Sequence, residues 1–140
     1  MILKVGDDVS NLKIYEIINK YFGKDYKGWM QAWFDIDDNY AAWFPRITET
    51  NERPDGSYGG TQNCSNVLSA DRTIITEVDH DAKSSLDINP RFLKKRLVFG
   101  RINGKFVFLG IFHTNVVKDA EHATCMHIKI ADAIDLDKIL

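Results

Sequence analysis

The stretch "RLVFGRINGKFVFLGIFHT", residues 96–114, constrains the fold more than any other part of the chain. Two apolar runs are joined by Asn103-Gly104, a dipeptide that favours the left-handed turn of a two-residue β-hairpin. Both faces of both strands are apolar, so neither face suits solvent. Such a hairpin has to be covered on both sides. The expectation is a central position with Val98, Phe99, Val107, Phe108 and Leu109 buried. One face would meet the barrel interior, and the other would meet a packed helix. Gly100 and Gly110 admit strong curvature or the close approach of another backbone.

The rest of the chain supplies the partners. Ser10 is placed to cap a helix running to about Phe22, with Leu12, Tyr15, Ile18 and Phe22 on one face and Gly23 as its stop. "WMQAWFDIDDNYAAWFPRI" reads as a second hairpin, Trp29–Ile36 and Tyr40–Ile47, turning at Asp37-Asp38-Asn39. Pro45 lacks a ladder donor, so the second strand lies at an edge or ends there. Residues 48–66 form a long polar loop with Pro54, Gly56, Gly59 and Gly60. "RTIITEV" (72–78) and "TCMHIKI" (124–130) read as strands, and "ADAIDLDKIL" as a short C-terminal helix. About six strands and two helices give an α+β fold. The expected architecture is a curved antiparallel sheet or small β-barrel with an N-terminal and a short C-terminal helix. A length of 140 residues fits one domain, 1–140.

Charge narrows the function. The net charge of −2 argues against a globally basic nucleic-acid protein, yet local patches set binding. Residues 91–105 carry Arg91, Lys94, Lys95, Arg96, Arg101 and Lys105 and no acid. Lys94, Lys95, Arg96 and Arg101 are candidates for phosphate contacts, weighed against a solvated hairpin base. Alternation puts Arg96 and Arg101 on opposite strand faces. No apolar run approaches the about 20 residues that span a bilayer, and the first residues lack a signal-peptide pattern. A cytoplasmic protein without membrane contact is expected. Cys64 and Cys125 lie far apart without C-x-x-C spacing and are expected as reduced thiols.

Trp29, Trp33 and Trp43 are dense for so short a segment. On an uninterrupted strand, Trp29, Trp33 and Asp35 share one face and Met30, Phe34 and Ile36 the other. The Met30 face reads as core. The tryptophan face reads as a half-exposed aromatic wall, or as core beneath the helix. His80, His113, His122 and His127 show no standard zinc spacing, so neither a metal nor another cofactor is expected. Pro54-Asp55 followed by Asp81-Ala82-Lys83 has the outline of a Mg²⁺-nuclease signature, but both pieces fall in loops.

Residues 54–114 carry a family likeness. "RPDGSYGGTQNCSN", "DRTIITEV" and "KRLVFGRINGKFVFLGIF" follow one another in an order that resembles the PUA-like superfamily, especially SRA-type and EVE-type domains. Asp55, Gly56, Tyr58, Gly60, Gln62 and Asn63 match a D-G-x-Y-x-G stretch with its nearby Gln and Asn. Phe106, Phe108, Leu109, Gly110 and Phe112 match an aromatic-rich strand pair. The resemblance implies a PUA-like β-barrel that binds nucleic acid, and several such domains hold a flipped modified base between aromatic rings. It places the ligand at the 54–63 loop, with Tyr58 stacking and Asp55, Gln62 or Asn63 reading the base edge. Trp29, Trp33 and Trp43 are stacking candidates by residue type alone.

The resulting expectation is a non-enzymatic module binding nucleic acid or a modified nucleotide, with modified DNA as the partner. It would serve as the specificity domain of a restriction or defence protein, beside a fused or partner nuclease. A protein–protein interaction module or inhibitor using an exposed tryptophan hairpin is the alternative, and a small Mg²⁺-dependent nuclease the third reading.

Overall fold

A computed structural model describes residues 1–47, 64–79, 90–118 and 123–140. The described strands are β1 (Ile2–Lys4), β2 (Trp33–Asp35), β3 (Tyr40–Trp43), β4 (Cys64–Leu68), β5 (Ile74–Asp79), β6 (Lys95–Ile102), β7 (Lys105–Lys118), β8 (Ala123–Ala131) and β9 (Ala133–Asp135). One α-helix, α1 (Ile14–Phe22), lies between β1 and β2. Seven strands form one sheet in the order β2-β3-β6-β7-β8-β5-β4, and β1 pairs with β9. All described strand pairings are antiparallel except β3 with β6, which is parallel, as is the isolated bridge between Arg46 and Arg101 beyond it.

The hairpin at 96–114 sits centrally, as its two apolar faces require. Asn103 and Gly104 both have positive φ, +52° and +77°, the geometry of a turn that matches strand twist. Val98, Phe99, Phe108 and Leu109 are buried, and Val107 is half-buried. On one face, Leu97, Phe99, Phe108 and Ile111 pack with Ile17, Ile18, Tyr21 and Phe22 of α1. On the other, Val98, Leu109 and Phe112 pack with Trp33, Ala41, Trp43 and Ile75.

The second face is concave. β3 and β8 are separated by β6 and β7, so a flat sheet would hold them roughly 14 Å apart. Yet the rings of Trp43 and His127 lie 4.6 Å apart, centroid to centroid. Further round, Asn66 Nδ2 on β4 donates to the carbonyl of Arg46, just past β3, at 3.3 Å. The sheet therefore curls until its seventh strand returns toward its second. Two register shifts assist this, an extra residue on β7 (Leu109) opposite Val98/Phe99 and an extra residue on β8 (Ile130) opposite Ile111/Phe112. Gly110 lies between them at φ +116°, and a Cβ there would stand 2.7 Å from the carbonyl oxygen of Ala131.

Several expectations are corrected. Helix α1 begins at Ile14, not after Ser10. Ser10 instead donates through N and Oγ to Asp8 Oδ1, at 3.0 and 2.7 Å. The helix start is held by Glu16, whose carboxylate accepts from Lys13 N at 3.0 Å. Its buried residues are Ile17, Ile18, Tyr21 and Phe22, and it stops at Gly23 in the left-handed conformation as expected. The C-terminal segment forms β9 and a single 3-10 turn, Leu136–Lys138, because β1 offers it a strand partner. β4 occupies part of the expected loop. The strand face predicted to bury Met30 does not form, since β2 starts only at Trp33, and Met30 is 99% exposed. As expected, β3 ends before Pro45, although it lies inside the sheet, paired on both sides. Among the described residues, no helix is long and apolar enough to cross a membrane.

Candidate functional site

The inner face of the curled sheet carries polar groups where a plain core would be aliphatic. Strand alternation builds it. On β8, Cys125 and His127 point inward; on β5, Ile75 and Glu77 are their registered partners, and on β7 Thr114 faces His127. On β3 and β6, Trp43 and Arg96 face the same space, and Trp33 is the registered partner of Trp43.

His127 is fully buried and bonded at both ring nitrogens. Nε2 lies 2.9 Å from Glu77 Oε1, and Nδ1 lies 2.8 Å from Thr114 Oγ1. An ionised carboxylate only accepts, so the proton sits on Nε2 and Thr114 donates its hydroxyl to Nδ1. Burial pushes the His127 pKa down, against the opposing pull of its hydrogen bond to Glu77. A neutral ring thus ties β5, β7 and β8 together and aims the Glu77 carboxylate.

Arg96 is the second inner polar residue, 3% exposed. Its guanidinium carbon lies 4.8 Å from the Trp33 ring centroid, 4.7 Å from Trp43 and 5.6 Å from Phe92. Arg91 approaches the Trp33 ring as well, at 4.9 Å. Burial pushes the Arg96 pKa down to about 10; the negative charge of Glu77 opposes this and the positive charge of Arg91 adds to it.

The predicted site residues scatter. Asp55, Tyr58, Gln62 and Asn63 lie outside the described residues, as do Asp81 and Lys83. On either side of the first four in the chain stand Ile47, which packs on the inner-face cluster, and β4. Trp33 and Trp43 come together on the inner face, both buried, so the tryptophan hairpin is not the exposed patch that the interaction-module reading requires. Trp29 goes to the other face, stacked on Tyr26 at 5.3 Å and edge-on to Phe34 at 5.4 Å. It parts from Trp33 because residues 24–32 form no ladder that would carry alternation back to it.

The basic cluster also divides. Arg96 is buried and cannot be a surface phosphate contact. Lys94 Nζ is spent on the β2–β3 turn, donating to Asp35 Oδ1 at 2.9 Å and to the Asp37 carbonyl at 2.8 Å. The bond to Asp35, with a second from Trp33 Nε1, holds the Asp35 pKa down. Lys95 is exposed over Tyr40, and Arg101 is exposed beside Arg46, its parallel bridge partner. Arg101 and Arg96 occupy opposite faces as alternation predicts.

The sequence reading missed Glu77, Thr114 and Arg46, counted Arg91 only within the basic segment, and weighed His127 only as a metal ligand. Among the described residues no cluster could hold a metal ion. The available signal was period two: Glu77 shares a strand face with Ile75, and His127 with Cys125, on strands whose inward positions should be apolar.

Residues 1–136 match the family model of the SRA domain, the SET and RING associated domain. The chain belongs to the SRA domain family. No curated protein matches it in sequence. Among solved structures, "The 5-Hydroxymethylcytosine-Specific Restriction Enzyme AbaSI" superposes with a TM-score of 0.70 at 19% identity. The match covers 96% of this SRA chain and 42% of that one, so the chain spans less than half of AbaSI. The likeness confirms the fold, a curved PUA-like sheet with a helix on its outer face.

Proposed function

We propose that this SRA domain binds DNA carrying a modified base and serves, as a single domain over 1–140, as the specificity module of a restriction or defence protein. The observation that carries the reading is the inner face, where Trp33 and Trp43 stand beside Glu77, His127 and Arg96. An everted base needs flat partners and polar groups for its edge. This face brings aromatic rings, a carboxylate and a guanidinium together on the concave side of the sheet. Membership in the SRA family supports the reading, and the base for which AbaSI is described as specific, 5-hydroxymethylcytosine, is the first ligand to try. The family likeness assigns Tyr58 to stacking on the base and Asp55, Gln62 or Asn63 to its edge. The module itself is non-enzymatic; cleavage would belong to a fused or partner nuclease.

Fluorescence anisotropy against three duplexes of one sequence tests this, with cytosine, 5-methylcytosine or 5-hydroxymethylcytosine at a single position. Binding to one modified duplex is expected to be at least about tenfold tighter than to the unmodified one. Tyr58→Ala should erase about ten- to a hundredfold of that affinity, the worth of one base stacked on an aromatic ring. Equal affinity for all three duplexes would refute the reading.

A further inference from the structure

Among the described residues, Arg96 is the arginine that the fold takes out of water. It reaches no carboxylate at ion-pair distance there, and its Nε has no hydrogen-bond partner. Glu77, whose charge acts on it, is engaged with His127. Trp33, Trp43 and Phe92 supply π faces, which recover part of the desolvation cost but do not accept N–H bonds as an anion does. A structural arginine in a core normally finds a carboxylate, and an apolar side chain of similar length would fill the same cage without the penalty. A buried guanidinium whose Nε has no partner, set between aromatic rings with the more distant charge of Glu77 acting on it, is an arrangement awaiting an acceptor.

We propose that Arg96 is the ligand receptor of the inner face, donating its fork to an oxygen acceptor of the bound nucleotide. This rests on the reading that the inner face takes an everted nucleotide. Two sources present that chemistry: the phosphate beside the everted base and the carbonyl edge of the base itself.

The test compares the parent chain with Arg96→Met. Melting temperature without ligand is measured first. Affinity then follows for the modified duplex, for the same duplex with an abasic site at that position, and for the free nucleoside 5-hydroxymethyl-2′-deoxycytidine. Arg96→Met is expected to melt no lower than the parent, since it removes a buried charge that has no ion-pair partner among the described residues. It should bind the modified duplex about thirtyfold more weakly, the loss of a charge-assisted hydrogen bond. A loss shared by the abasic duplex assigns the phosphate; a loss shared by the nucleoside assigns the base edge. A variant that melts several degrees below the parent makes Arg96 a core brace and overturns the proposal, whatever it binds. Parent-like affinity in a well-folded variant overturns it too. Should the parent bind no duplex at all, the modified-base reading falls, and inorganic phosphate at constant ionic strength decides for Arg96. A melting rise in the parent that Arg96→Met lacks upholds the receptor, and no such difference overturns it.

Discussion

At the scale of residues, the burial of His127 ties stability to pH. Its pKa is depressed by burial below the ordinary 6.5, so the unfolded chain takes up a proton that the folded chain resists. The stability it contributes is complete above about pH 6.5 and is lost as pH falls toward the folded value, at up to about 1.4 kcal/mol per pH unit. The carboxylates with depressed values, Asp35 and Asp71 among them, start from 3.8 and lose their contribution only in stronger acid. Urea melts between pH 7 and 5 should therefore show falling stability in the parent and a flatter profile in His127→Gln. A parent as stable at pH 5 as at pH 7 would mean that the ring is not held neutral by burial. Little in the linear order of residues marks this histidine. Spacing tests ask whether histidines suit a metal, whereas the partners of His127 come from β5 and β7, 50 and 13 positions away.

At the scale of elements, the β6–β7 hairpin organises both cores. Phe108 is 1% exposed and its ring lies 5.1 Å from Phe99, within the cluster that includes helix α1. Phe108→Ala should cost about 3–5 kcal/mol, read as a lowered denaturation midpoint at unchanged slope. A midpoint shifted by less than about 1 kcal/mol would place the hairpin at the periphery. This element was legible because length, a turn dipeptide and two-sided apolarity all agree there. Elements that depend on a distant partner were not. β1 and β9 have three residues each, too few to show a period, and each becomes a strand only because the other end of the chain lies beside it. The tryptophan segment failed for a related reason. Alternation predicts faces only where a ladder exists, and residues 24–32 have none, so Trp29 and Met30 went elsewhere than expected. The parallel pairing of β3 with β6 likewise leaves no mark in either strand's own composition.

At the scale of the whole molecule, charge and curvature divide the basic segment into three roles that a linear reading merges. Arg96 faces the inner space, Lys94 fastens the β2–β3 turn, and Arg101 joins Arg46 at the far end of β6. Two arginines side by side across a strand pair repel each other, a cost that bound phosphate relieves. With a net charge of −2, the chain has no global attraction to DNA, so a local rim would have to supply it. Salt titrations of duplex binding separate the roles. Arg46→Ala and Arg101→Ala should each weaken modified and unmodified duplexes alike and lower the slope of log K against log salt by about 0.9. Lys94→Ala should leave that slope unchanged and cost about 1 kcal/mol of stability or less, since its ion pair with Asp35 lies partly in solvent. A slope that falls for Lys94→Ala but not for Arg101→Ala would put the DNA against the β2–β3 turn instead of the hairpin tip, and the inner face would then have to be entered from that end.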